Sequence, residues 1–182
     1  MKITAKDFDQ VLRIEADTYT DYRGWFCEAY NKSKFREIGI TIDFVQINFS
    51  FSKKAGTIRG IHYQERPYQQ SKLIKCVKGN IYDVVVDLRT DSDTYLQWKS
   101  YELSDKINEW LLIPQGFGHG FQCLCDNCIV TYQVDQYYNK ESDRSIKWCD
   151  PQIGIQWPID NPILSKKDRK APMISNFRKI NL

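Results

Sequence analysis

The chain reads as all-β, an antiparallel sandwich or jelly roll, on three observations. Short runs rich in β-branched and aromatic residues recur along its 182 residues, turn residues separate them, and convincing amphipathic helices are scarce. In chain order the strand-like runs are "IDFVQINFSF" (42–51), "GTIRGIHYQ" (56–64), "KLIKCVKG" (72–79), "NIYDVVVDL" (80–88), "WKSYEL" (98–103), "EWLLIP" (109–114), "HGFQCLC" (119–125) and "IVTYQVDQYY" (129–138). "KGN" at 78–80 is a tight-turn signal between two of them. The best helix is short: "NKSKFREIG" (31–39), ending at Gly39. From Asp150 onward the chain is punctuated by proline ("DPQIGIQWPIDNPILS"), which predicts an ordered segment wrapping the body with little helix. No internal repeat or low-complexity linker interrupts this pattern, so residues 1–182 are expected to form one domain.

Composition excludes several classes. A hydrophobic content of 42%, with 14% aromatic, supplies a real core and argues against disorder. Twenty-six basic against 23 acidic residues leave a net charge of +3, with no polybasic footprint for nucleic acid. The basic stretch "SKKDRKAP" (165–172) reads as a solvated tail. No apolar run is long enough to span a bilayer, and "MKITAKDFDQ" lacks the apolar core of a secretion signal. The expectation is therefore a cytoplasmic protein without membrane partners, its six cysteines free thiols. Cys123, Cys125 and Cys128 have no second C-x-x-C at ligand spacing, and Phe121, Cys123 and Cys125 alternate as one strand face; they read as small buried hydrophobes.

The chain has two histidines, His62 and His119. Alone, each reads as a half-buried ring satisfied by a neighbour. On an unbulged strand, Gly60, His62 and Gln64 share one face, and Arg59 and Ile61 the other. Lys72, Ile74 and Cys76 likewise share a face, which makes Lys72 either an edge charge or a cavity charge. "IPQGFGHGF" (113–121) carries Pro114-x-Gly116-x-x-His119, the second element of a cupin, while the earlier element offers only His62, followed by Tyr63 and Gln64. Two histidines without clustered carboxylates make a poor transition-metal site, so no metal is expected.

Longer stretches carry a specific resemblance. "DYRGWFCEAYN" (21–31), "FVQINFSFS" (44–52), "GTIRGIHYQ" (56–64), "QSKLIKCVKGNIYDVVVDLRTDSDTY" (70–95), "ELS" (102–104), "IPQGFGHGF" (113–121), "TYQVDQYY" (131–138), "WCDPQIGIQWP" (148–158) and "PILSKKD" (162–168) resemble, in order, the dTDP-4-dehydrorhamnose 3,5-epimerase family of sugar-nucleotide cupins. The resemblance implies a cupin-type jelly roll, no cofactor, a homodimer, and dTDP-rhamnose synthesis for surface polysaccharide. Its substrate is a nucleotide-linked 4-keto sugar, whose ketone acidifies the hydrogens on C3 and C5. By resemblance His62 is the base, Asp168 orients its ring, Tyr132 is the acid on the opposite face, and Lys72 stabilises the enolate. Arg23, Phe26, Glu28, Gln46, Asn48, Arg59, His119 and Tyr138 fall on positions that contact the nucleotide sugar. Arginine forks suit a diphosphate, and a tyrosine offers a stacking face to a base. One departure is clear: the family's usual Gln-Asp-Asn reads Gln46-Ile47-Asn48 here. Other readings are a C3-only epimerase, an epimerase of a differently linked sugar such as a GDP sugar, and a cupin that binds without turnover. A ketoisomerase is disfavoured because no second histidine stands beside His62.

Overall fold

The computed structural model describes residues 1–177 and residue 182. The chain opens with four short strands, β1 (Lys2–Asp7), β2 (Val11–Glu15), β3 (Thr18–Asp21) and β4 (Gly24–Cys27), followed by helix α1 (Lys32–Glu37). Then come β5 (Gln46–Ser52), β6 (Ile58–Gln64), β7 (Lys72–Lys78), β8 (Asn80–Asp87), β9 (Trp98–Ser104), β10 (Glu109–Ile113), β11 (Phe117–Cys123), β12 (Cys128–Val134) and β13 (Asp143–Ser145). A single turn, α2 (Lys166–Arg169), and a 3₁₀ turn (Ile174–Asn176) follow. A six-stranded sheet, in the order β1-β2-β10-β7-β12-β5, faces a five-stranded sheet, β13-β6-β11-β8-β9; β3 and β4 form a separate hairpin. All paired strands among the described residues are antiparallel. This is the predicted cupin-type jelly roll.

Three apolar layers hold it together. Between the sheets, Ile74, Leu111, Ile113 and Val130 from one side meet Ile81, Val85, Leu103, Phe117 and Phe121 from the other. Outside the five-stranded sheet, Ile61, Tyr63, Val84 and Val86 are covered by Ile146, Ile153, Ile155 and Ile174 of the C-terminal segment. Outside the six-stranded sheet, Ile14, Leu73, Trp110 and Leu112 are covered by Phe35 of α1 and by Ile40. Because β8 is buried on both faces, it reads as the unbroken run Val84-Val85-Val86 instead of an alternation, with all three fully buried. Cys123 and Cys128 lie in the inner core as expected, with Cys125 packed at its margin.

The helix follows from its caps. Asn31 accepts hydrogen bonds from the Ser33 and Lys34 amides, Phe35 points to the core, and Gly39, at φ +85°, ends the turn. β11 runs from Phe117 to Cys123 instead of 119–125, which leaves Cys125 beyond the strand on which it was expected to alternate with Phe121 and Cys123, and two other strand ends differ by four residues. Residues 42–45 precede β5, because α1 and Ile40 cover the sheet beneath them and only the Val45 amide reaches β12, at Val134 O. Residues 135–138 leave β12, because the Asp135 carboxylate takes the Ser71 amide at 2.7 Å and pulls the chain out of the ladder.

Candidate active site

A cavity of about 570 Å³ opens between the two sheets. His62 comes from β6, Lys72 from β7, His119 from β11 and Tyr132 from β12, and all four line it. Arg59, Tyr138 and Asp168 line it too, with Gln64, Gln70, Ser165 and Lys167, and with Phe49, Ser50 and Phe51 from β5.

Arg59 and His62 share the cavity through a defect in strand pairing. His62 pairs with His119, whereas Arg59 pairs with Phe121, so three steps on β6 oppose two on β11. This bulge overturns the unbulged reading of β6. It turns Arg59 onto the side of His62 and leaves Ile61 and Tyr63 on the outer core face. Gly60 permits it: its φ is +127°, and a Cβ there would stand 2.5 Å from the Gly120 Cα.

Asp168 arrives from the far end of the chain. Ile163 exchanges hydrogen bonds with Gly56 and Ile58, anchoring the C-terminal strap at the start of β6. Ser165 then caps α2, and the turn swings the buried Asp168 carboxylate to 2.5 Å from His62 Nε2. The stretch 165–172 is thus tethered rather than a free tail: Asp168, 3% exposed, and Ala171 are buried, while its lysines and Arg169 stay in solvent as their charge suggested. Burial pushes the Asp168 carboxyl up, but the hydrogen bonds from His62 and Ser165 outweigh it and hold it below the usual carboxylate range. An ionised Asp168 accepts from Nε2–H and leaves Nδ1 of His62 with the lone pair.

Lys72 is a cavity charge, with its side chain in the wall and Nζ 3.4 Å from the His62 carbonyl oxygen. Burial lowers its pKa to about 8, against the pull of Asp83 and Asp143. Burial also lowers the pKa of His119, whose Nε2 lies 2.9 Å from the fully buried Asp83. Tyr132 shifts upward by burial, with Arg59 opposing, so its hydroxyl keeps its proton at neutral pH. Tyr138 Oη donates to Asp143, which also accepts from Lys167 Nζ at 2.5 Å.

Five of the expected contact residues do not line this cavity. Arg23, Phe26 and Glu28 lie on or just beyond the β3–β4 hairpin, which pairs only with itself; Arg23 is exposed and bonded to Asp21, and Glu28 faces Lys34. Gln46 and Asn48 are bonded to each other on the half-buried face of β5, with Asn48 opposite Tyr132. Ile47, the departure from the family pattern, points to the other, exposed face. Sequence reasoning missed Asp83, Asp143 and Lys167. Asp83 left a trace as an acid between Tyr82 and Val84 inside the apolar run of β8, whereas Asp143, the first residue of β13, follows the charged stretch Asn139–Ser142 with nothing to single it out. Among the described residues, no three His, Cys, Asp or Glu side chains converge as a metal-binding group.

A jelly-roll cavity holding a His–Asp pair, a buried lysine and a protonated tyrosine makes this a cupin-type protein equipped for acid–base chemistry. Residues 5–176 match the family model described as dTDP-4-dehydrorhamnose 3,5-epimerase, and the chain belongs to that family. A protein of this name from Methanothermobacter thermautotrophicus is 47% identical over 165 residues, covering 88% of each chain. The Bacillus anthracis dTDP-4-dehydrorhamnose 3,5-epimerase, crystallised with TDP and pyrophosphate, superposes with a TM-score of 0.93 at 46% identity, covering 95% of this chain and 99% of that one. A Legionella pneumophila 3,5-epimerase in complex with dTDP-4-keto-L-rhamnose gives a TM-score of 0.91 at 38% identity, covering 97% and 94%.

Proposed function

We propose that this chain is an isomerase that inverts C3 and C5 of a dTDP-linked 4-keto-6-deoxy sugar. The observation that carries the reading is the His62–Asp168 pair at 2.5 Å in the same cavity wall as Lys72 and Tyr132. Family membership and the nucleotide ligands held by similar structures support it. The roles follow from the chemistry. His62 Nδ1 takes the proton from C3 or C5, and the imidazolium formed is stabilised by Asp168. The electron pair moves into the enolate, whose charge gathers on the C4 oxygen beside Lys72; that cation favours the enolate over the ketone. Tyr132 returns a proton from the opposite face; once solvent has taken the proton from His62 and restored the one on Tyr132, a second round treats the other carbon. Arg59 is suited to a diphosphate oxygen and Tyr138 to the base, with His119 as a neutral hydrogen-bonding wall.

The reading extends to one epimerase unit over residues 1–182, acting as a cytoplasmic homodimer in dTDP-rhamnose supply for surface polysaccharide. Arg23, Phe26, Glu28, Gln46 and Asn48 remain assigned to the nucleotide sugar, outside the cavity that one subunit encloses.

Three variants test the assignments. His62→Asn keeps a hydrogen-bonding group but cannot accept a proton at neutral pH, so kcat is expected to fall by roughly 10²–10⁴. Asp168→Asn should also be damaging, because a neutral amide neither stabilises imidazolium nor enforces the tautomer. Tyr132→Phe should lose net inversion yet still exchange C–H with solvent, because the base remains. Epimerisation at an unaltered rate by Tyr132→Phe would show that the acid is another group.

A further inference from the structure

We propose that Cys125 and Cys128 form a reversible redox pair, closing to an intramolecular disulfide by exchange with a small-molecule disulfide. The proposal stands apart from the epimerase reading, because neither thiol lines the cavity.

The two residues bracket the turn between β11 and β12 as Cys125-Asp126-Asn127-Cys128, a C-x-x-C spacing. Their Sγ atoms lie 3.5 Å apart, and Cys128 Sγ also donates to the Cys125 carbonyl oxygen at 3.3 Å. A disulfide needs about 2.0 Å between sulfurs, so closure brings the two Sγ atoms about 1.5 Å nearer. The turn is already tight, with Asn127 at φ +59°. Space is provided by the neighbouring β7–β8 turn, where a Cβ on Gly79 would stand 2.8 Å from each sulfur. The two thiols also differ in access. Cys125 is half-buried and within reach of a small reagent, whereas Cys128 is buried directly behind it. That is the steric arrangement of an attacking and a resolving thiol, and because burial pushes the Cys125 thiol up, the exchange is expected to quicken as pH rises.

The exchange balances. The Cys125 thiolate attacks one sulfur of RSSR, forming Cys125–S–S–R and releasing one RS⁻. The Cys128 sulfur then attacks the Cys125 sulfur and expels the second RS⁻. The two protons lost by the cysteines end on the two released thiols. The protein is oxidised by two electrons, and the small disulfide is reduced by two.

The test uses the whole chain with oxidised glutathione, followed by alkylation of the remaining thiols and mass mapping. Cleavage before Asp126 and after Leu124 separates Cys123, Cys125 and Cys128 into distinct fragments. The expected result is a Cys125–Cys128 crosslink without retained glutathione, reversed by a monothiol. Cys128→Ser should accumulate glutathione on Cys125, because the resolving thiol is gone. Persistent glutathione on Cys125 of the natural chain, full alkylation of both thiols, or a crosslink to Cys123 instead would overturn the proposal. Should Cys128→Ser not fold, the map of the natural chain decides alone.

Discussion

Lys72 is the residue whose surroundings depart furthest from those of an ordinary lysine, and the departure has opposite consequences for activity and stability. Its protonated form is the one that stabilises an enolate. With a pKa lowered to about 8, kcat/KM should fall as pH rises through about 8, instead of near the usual lysine value. For folding the sign reverses. Between about 8 and the ordinary 10.5 the unfolded chain binds the proton and the folded chain does not, so the contribution of Lys72 to stability rises with pH in that window. Lys72→Met should remove the alkaline limb and lower kcat by roughly 10²–10³, as loss of one oxyanion donor does. A pH profile of the variant that keeps the limb would assign the limb to another group. At this scale the sequence was only partly legible. Lys72 stood equally as edge or cavity charge, because strand periodicity gives a face but not what the face encloses. His62, Asp168 and Tyr132 came from the resemblance. Asp83 and Asp143 were missed because an acid in a strand is given meaning only by the partner that the fold brings to it, His119 for Asp83 and Tyr138 with Lys167 for Asp143.

The β6 bulge and the C-terminal strap are the elements that assemble the site. Without the extra residue at Gly60–Ile61, Arg59 would face the outer core in place of the cavity. Gly60→Ala puts a Cβ 2.5 Å from the Gly120 Cα and 2.7 Å from the His119 carbonyl oxygen, both backbone atoms that cannot step aside. Strain at positive φ and the clash together should cost about 3 kcal/mol or more, read as a lowered urea midpoint, with kcat falling further because His62 is two residues away. A variant of unchanged midpoint would mean that β6 can re-register without the bulge. The bulge could not be read from "GTIRGIHYQ", since a glycine in a strand signals either a bulge or close packing, and here it is both. The eight strands β5–β12 were legible from their β-branched and aromatic runs. Strands β1–β4 and β13 were not individually legible: β3, β4 and β13 have four residues or fewer, β1, β3 and β4 are largely exposed so that no apolar alternation marks them, and β2 carries charged residues at Arg13 and Glu15. The strap was expected as a wrapping segment; its basic residues are solvated as expected, but Asp168 among them was not expected to be buried. Net charge says nothing about the one carboxylate, Asp168, that turns inward.

At the scale of the whole molecule, one subunit leaves apolar surface on show. Along β5, an edge strand, Ile47, Phe49 and Phe51 are exposed by 62%, 72% and 55%, and Trp25 and Phe26 stand out on the β3–β4 hairpin. Unpaired edges and outward aromatics favour a second copy. Light scattering at micromolar concentration should give twice the mass of the 21.5 kDa chain; a single-chain mass would exclude the homodimer. The jelly roll itself was the most legible feature of the sequence, because many short strands without alternating helices admit few other architectures. The central claim, that this cavity carries protons off and onto both carbons beside the ketone, is tested most directly by isotope exchange. Incubation with dTDP-4-keto-6-deoxyglucose in deuterium oxide, followed by NMR and mass analysis, should place deuterium at both C3 and C5 of an inverted product; deuterium at C3 alone, or at neither carbon, would contradict it.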